Sequence, residues 1–310
     1  MKTRLVFLLS FSFIAPLLYG QNNLPKFSAG TLERLEPIAS KYVTSRNVDV
    51  WLPNGYHESK KYAVLYMHDG QMLYDPETTW NKTAWDVDDV AQKLIDSNQV
   101  QDFIIVGIWN GGSTRHADYF PQKPFETLSK NEINTVFEQL KKAGREVDST
   151  WRPKSDDYLK YLIEELKPVI DQKYSVYKDQ KNTFIAGSSM GGLISIYAIC
   201  EYPEVFYGAA CLSTHWVGTF TLENNPIPFK FIDYLKSNLP NPSNHKIYFD
   251  TGDQTLDALY PEIQKKVDQV MVDKGYDDSN FLTEFFPGEN HSEVAWNKRL
   301  HIPLEFLLKQ

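Results

Sequence analysis

The chain has 310 residues, 42% of them hydrophobic and 14% aromatic, a globular composition that excludes a disordered or fibrous protein. Its formal charge of −8 argues against a nucleic-acid partner. Two cysteines in a chain this long exclude a disulfide framework, and the length suits one α/β domain of enzyme size.

The N-terminus reads as an export signal. Lys2 and Arg4 precede an uncharged apolar run from Leu5 to Leu18, and Gly20 leads into the polar Gln21-Asn22-Asn23. This layout predicts a signal peptide over residues 1–20, a single mature domain over 21–310 and a periplasmic or extracellular location. Loss of Lys2 and Arg4 takes the charge from −8 to −10. The run is too short to span a bilayer comfortably, and no later one reaches about 18 uncharged apolar residues, so stable membrane insertion after cleavage is not expected; a retained N-terminal anchor is the alternative.

Asn47 to Leu52 alternates with period two and stops at Pro53-Asn54-Gly55, the pattern of a strand and its turn. Tyr62 to Met67 is a continuous apolar run, as a strand covered on both faces requires. Val87 to Leu94 has apolar residues at helical spacing, and Phe103 to Ile108 reads as another buried strand. Residues 111–153 break this rhythm, being polar and loop-like apart from a helical segment near Asn131 to Gly144. An insertion of this length is either a lid or substrate-binding element, or a decorated surface loop. Asp157 to Ile170 then places Leu159, Leu162, Ile163 and Leu166 on one helical stripe.

Further strands are predicted over Asn182–Ala186, Phe206–Leu212, Lys246–Phe249 and Phe281–Phe286, and helices over Met190–Cys200, Leu256–Val272 and Glu293–Leu308. Cys200 and Cys211 fall within apolar runs and read as small buried hydrophobes rather than a bridge. Alternating helices and apolar strands predict a mostly parallel sheet with helices on both faces.

The chemistry is carried by Gly187-Ser188-Ser189-Met190-Gly191, between the apolar strand ending at Ala186 and the helix starting near Met190. This is the strand–turn–helix context of a Gly-x-Ser-x-Gly nucleophile elbow. The two glycines leave room for the close approach of strand and helix, and the helix amides favour negative charge developing beside the serine oxygen. Ser189 is the candidate nucleophile. A base and its orienting acid are expected downstream, in the order serine, acid, histidine. His291, in the loop between the last strand and the C-terminal helix, is the candidate base, whereas His245 precedes a strand and His301 falls inside a helix. The acid is expected after Lys246–Phe249, where Asp253 and Asp257 both lie in the loop and position does not separate them; Asp250 is read as capping the turn. The backbone amides of Met190 and Gln71 are candidates for an oxyanion hole, with Gly70 freeing the loop to turn. His68 and Asp69 precede the nucleophile and read as scaffolding for that loop.

These residues resemble the esterase D and carbohydrate esterase family 1-like branch of the α/β-hydrolase superfamily. The branch includes feruloyl and acetyl xylan esterases, enterochelin esterases, S-formylglutathione hydrolase and mycolyltransferases. The likeness runs from about Asn47 to the C-terminus. It rests on Val64-Leu65-Tyr66-Met67-His68-Asp69-Gly70-Gln71, Val106-Gly107-Ile108-Trp109-Asn110, Arg115 with Asp118-Tyr119, the Ser189 motif extended to Gly192, and His291-Ser292-Glu293. It implies an α/β-hydrolase fold, with Ser189 as nucleophile, His291 as base and Met190 with Gln71 as oxyanion donors. Relatives carry an aspartate soon after a Gly-Thr pair; Asp253 replaces that threonine here, and the run Thr255-Leu256-Asp257 favours Asp257 as the acid.

The implied reaction is two-step acyl transfer through an acyl-enzyme on Ser189, with no metal and no organic cofactor. Trp109, Arg115 and Trp216, in loops after strand ends, are candidates for lining the cleft; ordinary packing is the equal alternative for each tryptophan, and an ion pair with Asp118 for Arg115. A small-molecule or polysaccharide ester is the expected partner. Acetyl or feruloyl groups on plant polysaccharide lead as substrates, and a siderophore ester of the enterochelin type is the alternative. Acyl transfer to another acceptor and a non-catalytic binding module are further readings of the same fold. Oligomeric state is not legible.

Overall fold

Eight strands form one open sheet whose inner strands are buried on both faces. A computed structural model describes residues 24–309, so the export signal predicted over residues 1–20 lies outside the described residues. The strands are β1 Thr31–Arg34, β2 Val48–Leu52, β3 Ala63–His68, β4 Phe103–Ile108, β5 Thr183–Ser188, β6 Gly208–Leu212, β7 Lys246–Thr251 and β8 Phe281–Phe285. Their spatial order is β1-β2-β4-β3-β5-β6-β7-β8. The β1–β2 and β2–β4 pairs are antiparallel and all the others parallel.

Alternate residues of the central strands enter opposite apolar layers. Val64 and Tyr66 of β3, with Ile104 and Val106 of β4 and Ile185 of β5, face one core. Leu65 and Met67, with Phe103, Ile105, Phe184 and Ala186, face the other. This two-sided burial is why these strands read as unbroken apolar runs. In β2, Asp49 occupies the polar position of a two-residue alternation, yet it is fully buried. Arg34 of β1, a strand the sequence reading missed, meets it with two hydrogen bonds of 2.7 and 2.8 Å.

Several helix boundaries differ from the predicted ones. The stripe read over Asp157 to Ile170 belongs to a helical segment running from Ser155 to Lys173, with a wider π-helical turn at Tyr161–Leu166. The helix predicted from Leu256 starts at Pro261, where a proline without an N–H is tolerated. Thr255–Leu259 before it is a short 3₁₀ turn. The C-terminal helix is broken into Glu293–Arg299 and His301–Leu308. A helix over Ile227–Asn238 was not anticipated.

The insertion over 111–153 contains helices Arg115–Tyr119, Gln122–Glu126 and Lys130–Lys142. Ser129 and Glu132 cap the last of these reciprocally. Its Tyr119, Phe120, Phe125, Val136 and Leu140 are buried. Gln139 ties it to the segment after β6, donating to Glu223 O at 2.9 Å and accepting from Thr219 Oγ1 at 3.1 Å. Cys200 and Cys211 are both free and buried. Among the described residues, no helix is long and apolar enough to cross a membrane.

Candidate active site

Ser189 lies where β5 ends and the helix Met190–Glu201 begins, with φ 57° and ψ −121°. A left-handed φ is costly for a residue with a Cβ, so the turn has to be held from outside. Ser189 N–H donates to Leu212 O at 2.9 Å, and Ser189 O accepts from Leu193 N at 3.1 Å and His215 N at 3.2 Å. Gly187 is a steric requirement, and Gly191 sits in close contact with the His68 side chain. A Cβ on Gly187 would stand 2.7 Å from the Gly191 carbonyl carbon, and one on Gly191 would stand 3.3 Å from the His68 Cβ. Met190 is the first residue of its helix, so its N–H has no acceptor within the helix.

The base and acid candidates meet across two loops at the carboxyl ends of β7 and β8. His291 Nδ1 lies 2.6 Å from Asp257 Oδ1, with the imidazole 13% exposed and the carboxylate fully buried. An ionised carboxylate only accepts, so Nδ1 carries the proton and Nε2 keeps its lone pair for a base. The other oxygen, Asp257 Oδ2, accepts from Gly252 N at 2.7 Å and from Ser213 Oγ at 2.7 Å.

The loops are joined along their length. Asp253 N and Gln254 N both donate to Glu289 O at 3.1 Å, and His291 N donates to Thr255 Oγ1 at 3.0 Å. Gly252 is needed here, because a Cβ would lie 2.1 Å from Glu289 O. Asp253 serves this junction, accepting from Gly288 N at 2.9 Å and from Gln254 Nε2 at 2.7 Å.

On the other side of β5, the loop after β3 forms a 3₁₀ turn over Gly70–Met72 that contains Gln71. Here the positive φ belongs to Asp69, at 56°. Gly70 is instead required for space, since a Cβ would come within 2.6 Å of Gly107 C. The Gln71 side chain accepts from Asn110 N at 3.1 Å, which ties this turn to the loop after β4.

His68 and Asp69 support the turn. Burial pushes the His68 imidazole down to about 3, keeping it neutral, and it hydrogen-bonds Tyr158 Oη at 2.8 Å. Burial alone would raise the Asp69 carboxyl, but Arg115 and Asn110 hold it below its ordinary range. Arg115 grips both Asp69 oxygens at 2.7 Å.

Each of the three candidate cleft residues has a partner within the protein. Arg115 pairs with Asp69 and not with Asp118, which is taken by Arg46 at 3.0 Å. Trp216 is 1% exposed, packed on Phe249, with its indole N–H donating to Gln264 Oε1 at 2.8 Å. The segment after β6 turns this ring into the core. Trp109 donates to Asp49 Oδ2 at 2.7 Å beneath the Arg34 guanidinium, so it belongs to the antiparallel edge of the sheet.

Other residues around the site carried no motif. His215 is buried and held neutral chiefly by that burial, with Nδ1 2.7 Å from Tyr260 Oη. Trp296 sets its ring edge-to-face with His291 at 5.0 Å. Ser213 follows β6, the strand beside the nucleophile strand, and this adjacency is the only signal that could have pointed to it.

A family model described as Putative esterase matches residues 40–306. The chain is 24% identical over 181 residues to the ferri-bacillibactin esterase of Bacillus subtilis (strain 168), covering 57% of this chain and 55% of that protein. It is 25% identical over 271 residues to an endo-1,4-beta-xylanase/feruloyl esterase of Xylanibacter ruminicola, covering 85% of this chain and 29% of that one. In fold it is similar to a ferulic acid esterase of Anaeromyces mucronatus, with a TM-score of 0.59 and 16% identity over 92% of this chain and 94% of the other.

Proposed function

The chain belongs to the Putative esterase family, and from that premise we propose that it works as a secreted serine esterase through an acyl-enzyme on Ser189. The protein is a carboxylic-ester hydrolase. The observation that carries the mechanism is the 2.6 Å contact of His291 Nδ1 with the buried Asp257, which leaves Nε2 to act as base. Ser189 Oγ attacks the ester carbonyl as its proton passes to His291 Nε2, and the N–H groups of Met190 and Gln71 receive the oxyanion. His291 then protonates the departing alcohol. A water molecule, deprotonated by the same nitrogen, attacks the acyl-enzyme and releases the carboxylic acid and free Ser189.

Acetyl or feruloyl groups on plant polysaccharide are the proposed substrates. Support comes from the export-signal layout of residues 1–20 and from the likeness to a xylanase/feruloyl esterase. The likeness to a ferri-bacillibactin esterase supports the second reading, a siderophore ester. The insertion over 111–153 is proposed as a wall of the substrate cleft, because Gln139 braces the segment after β6 that also carries His215.

The test sets acetylated xylan, methyl ferulate and a catecholate trilactone side by side, with Ser189→Ala as the control. Wild type should hydrolyse one of the first two fastest, and Ser189→Ala should lose turnover while remaining folded. Preference for the trilactone would transfer the assignment to the second reading. No turnover of any ester, with no labelling of Ser189 by a serine-directed phosphonate, would overturn the enzyme mechanism.

A further inference from the structure

Ser213 stands at the junction of two networks, only one of which holds the reacting groups. It is fully buried directly after β6, at φ 42°. Its backbone N–H donates to Asp250 Oδ1 at 2.9 Å and Asp250 O at 3.0 Å. Asp250 in turn forms a buried ion pair with Arg299, through Nη2 at 2.8 Å and Nε at 3.1 Å. The serine backbone is therefore anchored to a charge pair outside the triad.

The hydroxyl is more informative. A serine oxygen offers two lone pairs and one proton. Trp296 Nε1–H and Arg299 Nη2–H both donate to Ser213 Oγ, each at 2.9 Å. With both lone pairs taken, the single proton points to the remaining neighbour, Asp257 Oδ2, at 2.7 Å. Gly252 N–H donates to that same oxygen. Two donors on Oδ2 leave Oδ1 to face His291.

We propose that Ser213 is the positioning residue of this site, a hydroxyl whose direction is dictated by Trp296 and Arg299 and which holds Asp257 as a carboxylate with Oδ1 turned to His291. The inference rests on reading Ser189, His291 and Asp257 as the reacting unit. Of that unit Ser213 touches the acid, and it exchanges no proton with the substrate. It transmits the buried Arg299–Asp250 pair to the acid and works only through it.

The experiment compares wild type with Ser213→Ala on a simple aryl ester over a range of pH, and follows the low-field proton resonance of His291 Nδ1–H by NMR. Loss of one hydrogen bond to a charged group should lower kcat by about 10- to 100-fold, with KM within about twofold of wild type. The acid limb of the pH–rate profile, where the base His291 becomes protonated, should move to higher pH, because a carboxylate with fewer donors attracts the imidazolium more strongly. The low-field resonance should shift as well.

Ser213→Cys keeps a proton donor, though a weaker one, and should move the limb the same way by less; it serves if the alanine variant does not fold. A folded Ser213→Ala protein with an unmoved acid limb and an unmoved resonance overturns the proposal. A resonance that moves in a protein hydrolysing no ester would uphold the Ser213 coupling and sink the esterase mechanism instead.

Discussion

Replacing Asp257 with asparagine changes one atom and, by the geometry of the site, reverses the direction of a proton. Asp257 accepts from Gly252 N–H and Ser213 O–H on Oδ2, and faces His291 Nδ1 with Oδ1. An asparagine in the same shape must turn its carbonyl oxygen to the two donors, since its NH₂ would oppose both. The NH₂ group then falls opposite His291 Nδ1, which has to accept. The imidazole proton moves to Nε2, and the base loses the lone pair it needs for the Ser189 proton.

The same wrong-tautomer change in a Ser-His-Asp enzyme lowers kcat by about 10⁴, so a loss of about 10³- to 10⁴-fold is expected here. That corresponds to about 4–5.5 kcal/mol of barrier. The assay is kcat on an aryl ester, with circular dichroism to show the fold is kept. Asp253→Asn is the matched control. Its partners Gly288 N and Gln254 Nε2 are both donors that an amide oxygen still satisfies, so its loss should stay under about threefold. An Asp257→Asn enzyme keeping more than about a tenth of wild-type kcat, or an Asp253→Asn enzyme losing more than it, would refute the reasoning.

Gly252→Ala places a Cβ 2.1 Å from Glu289 O. It should part the acid and base loops, costing about 1–3 kcal/mol in denaturant unfolding and at least about tenfold in kcat. Stability should also fall as the medium is acidified below the ordinary histidine range. Burial is the leading cause that lowers His68 to about 3, His116 to about 4, and His215 well below its usual value. Below pH 6.5 the unfolded chain binds protons at these positions while the native protein does not, so stability is present above that pH. It is lost on going down toward pH 4, at up to about 1.4 kcal/mol per pH unit for each histidine. Urea midpoints measured between pH 7.5 and 4.5 should show this slope, and His116→Gln should flatten it; a midpoint that rises on acidification would contradict the burial argument.

Much of the frame is legible from local sequence because its causes are local. Apolar runs such as Phe103–Ile108 mark strands covered on both faces, and the elbow at Ser189 is a contact between Gly187 and Gly191, four residues apart. Edge strand β1 was missed because Thr31–Arg34 is short and only one residue of it is buried. The insertion over 111–153 read as polar because its buried aromatics are scattered among charges on short helices.

What the sequence by itself determined is the candidate nucleophile at Ser189, its placement between a strand and a helix, and the loop from which His291 comes. Each depends on residues within a few positions of one another. Only the tertiary structure decided which carboxylate meets that histidine. Asp253 and Asp257 share one loop, and the difference between them is that Asp257 turns inward to Ser213, Gly252 and His291 while Asp253 turns to Gly288 and Gln254. The partners of Arg115, the burial of Trp216 and the junction at Ser213 were decided in the same way. Each is a meeting of segments far apart in the chain, and local spacing carries no record of which surface a side chain will face once the sheet has closed over it.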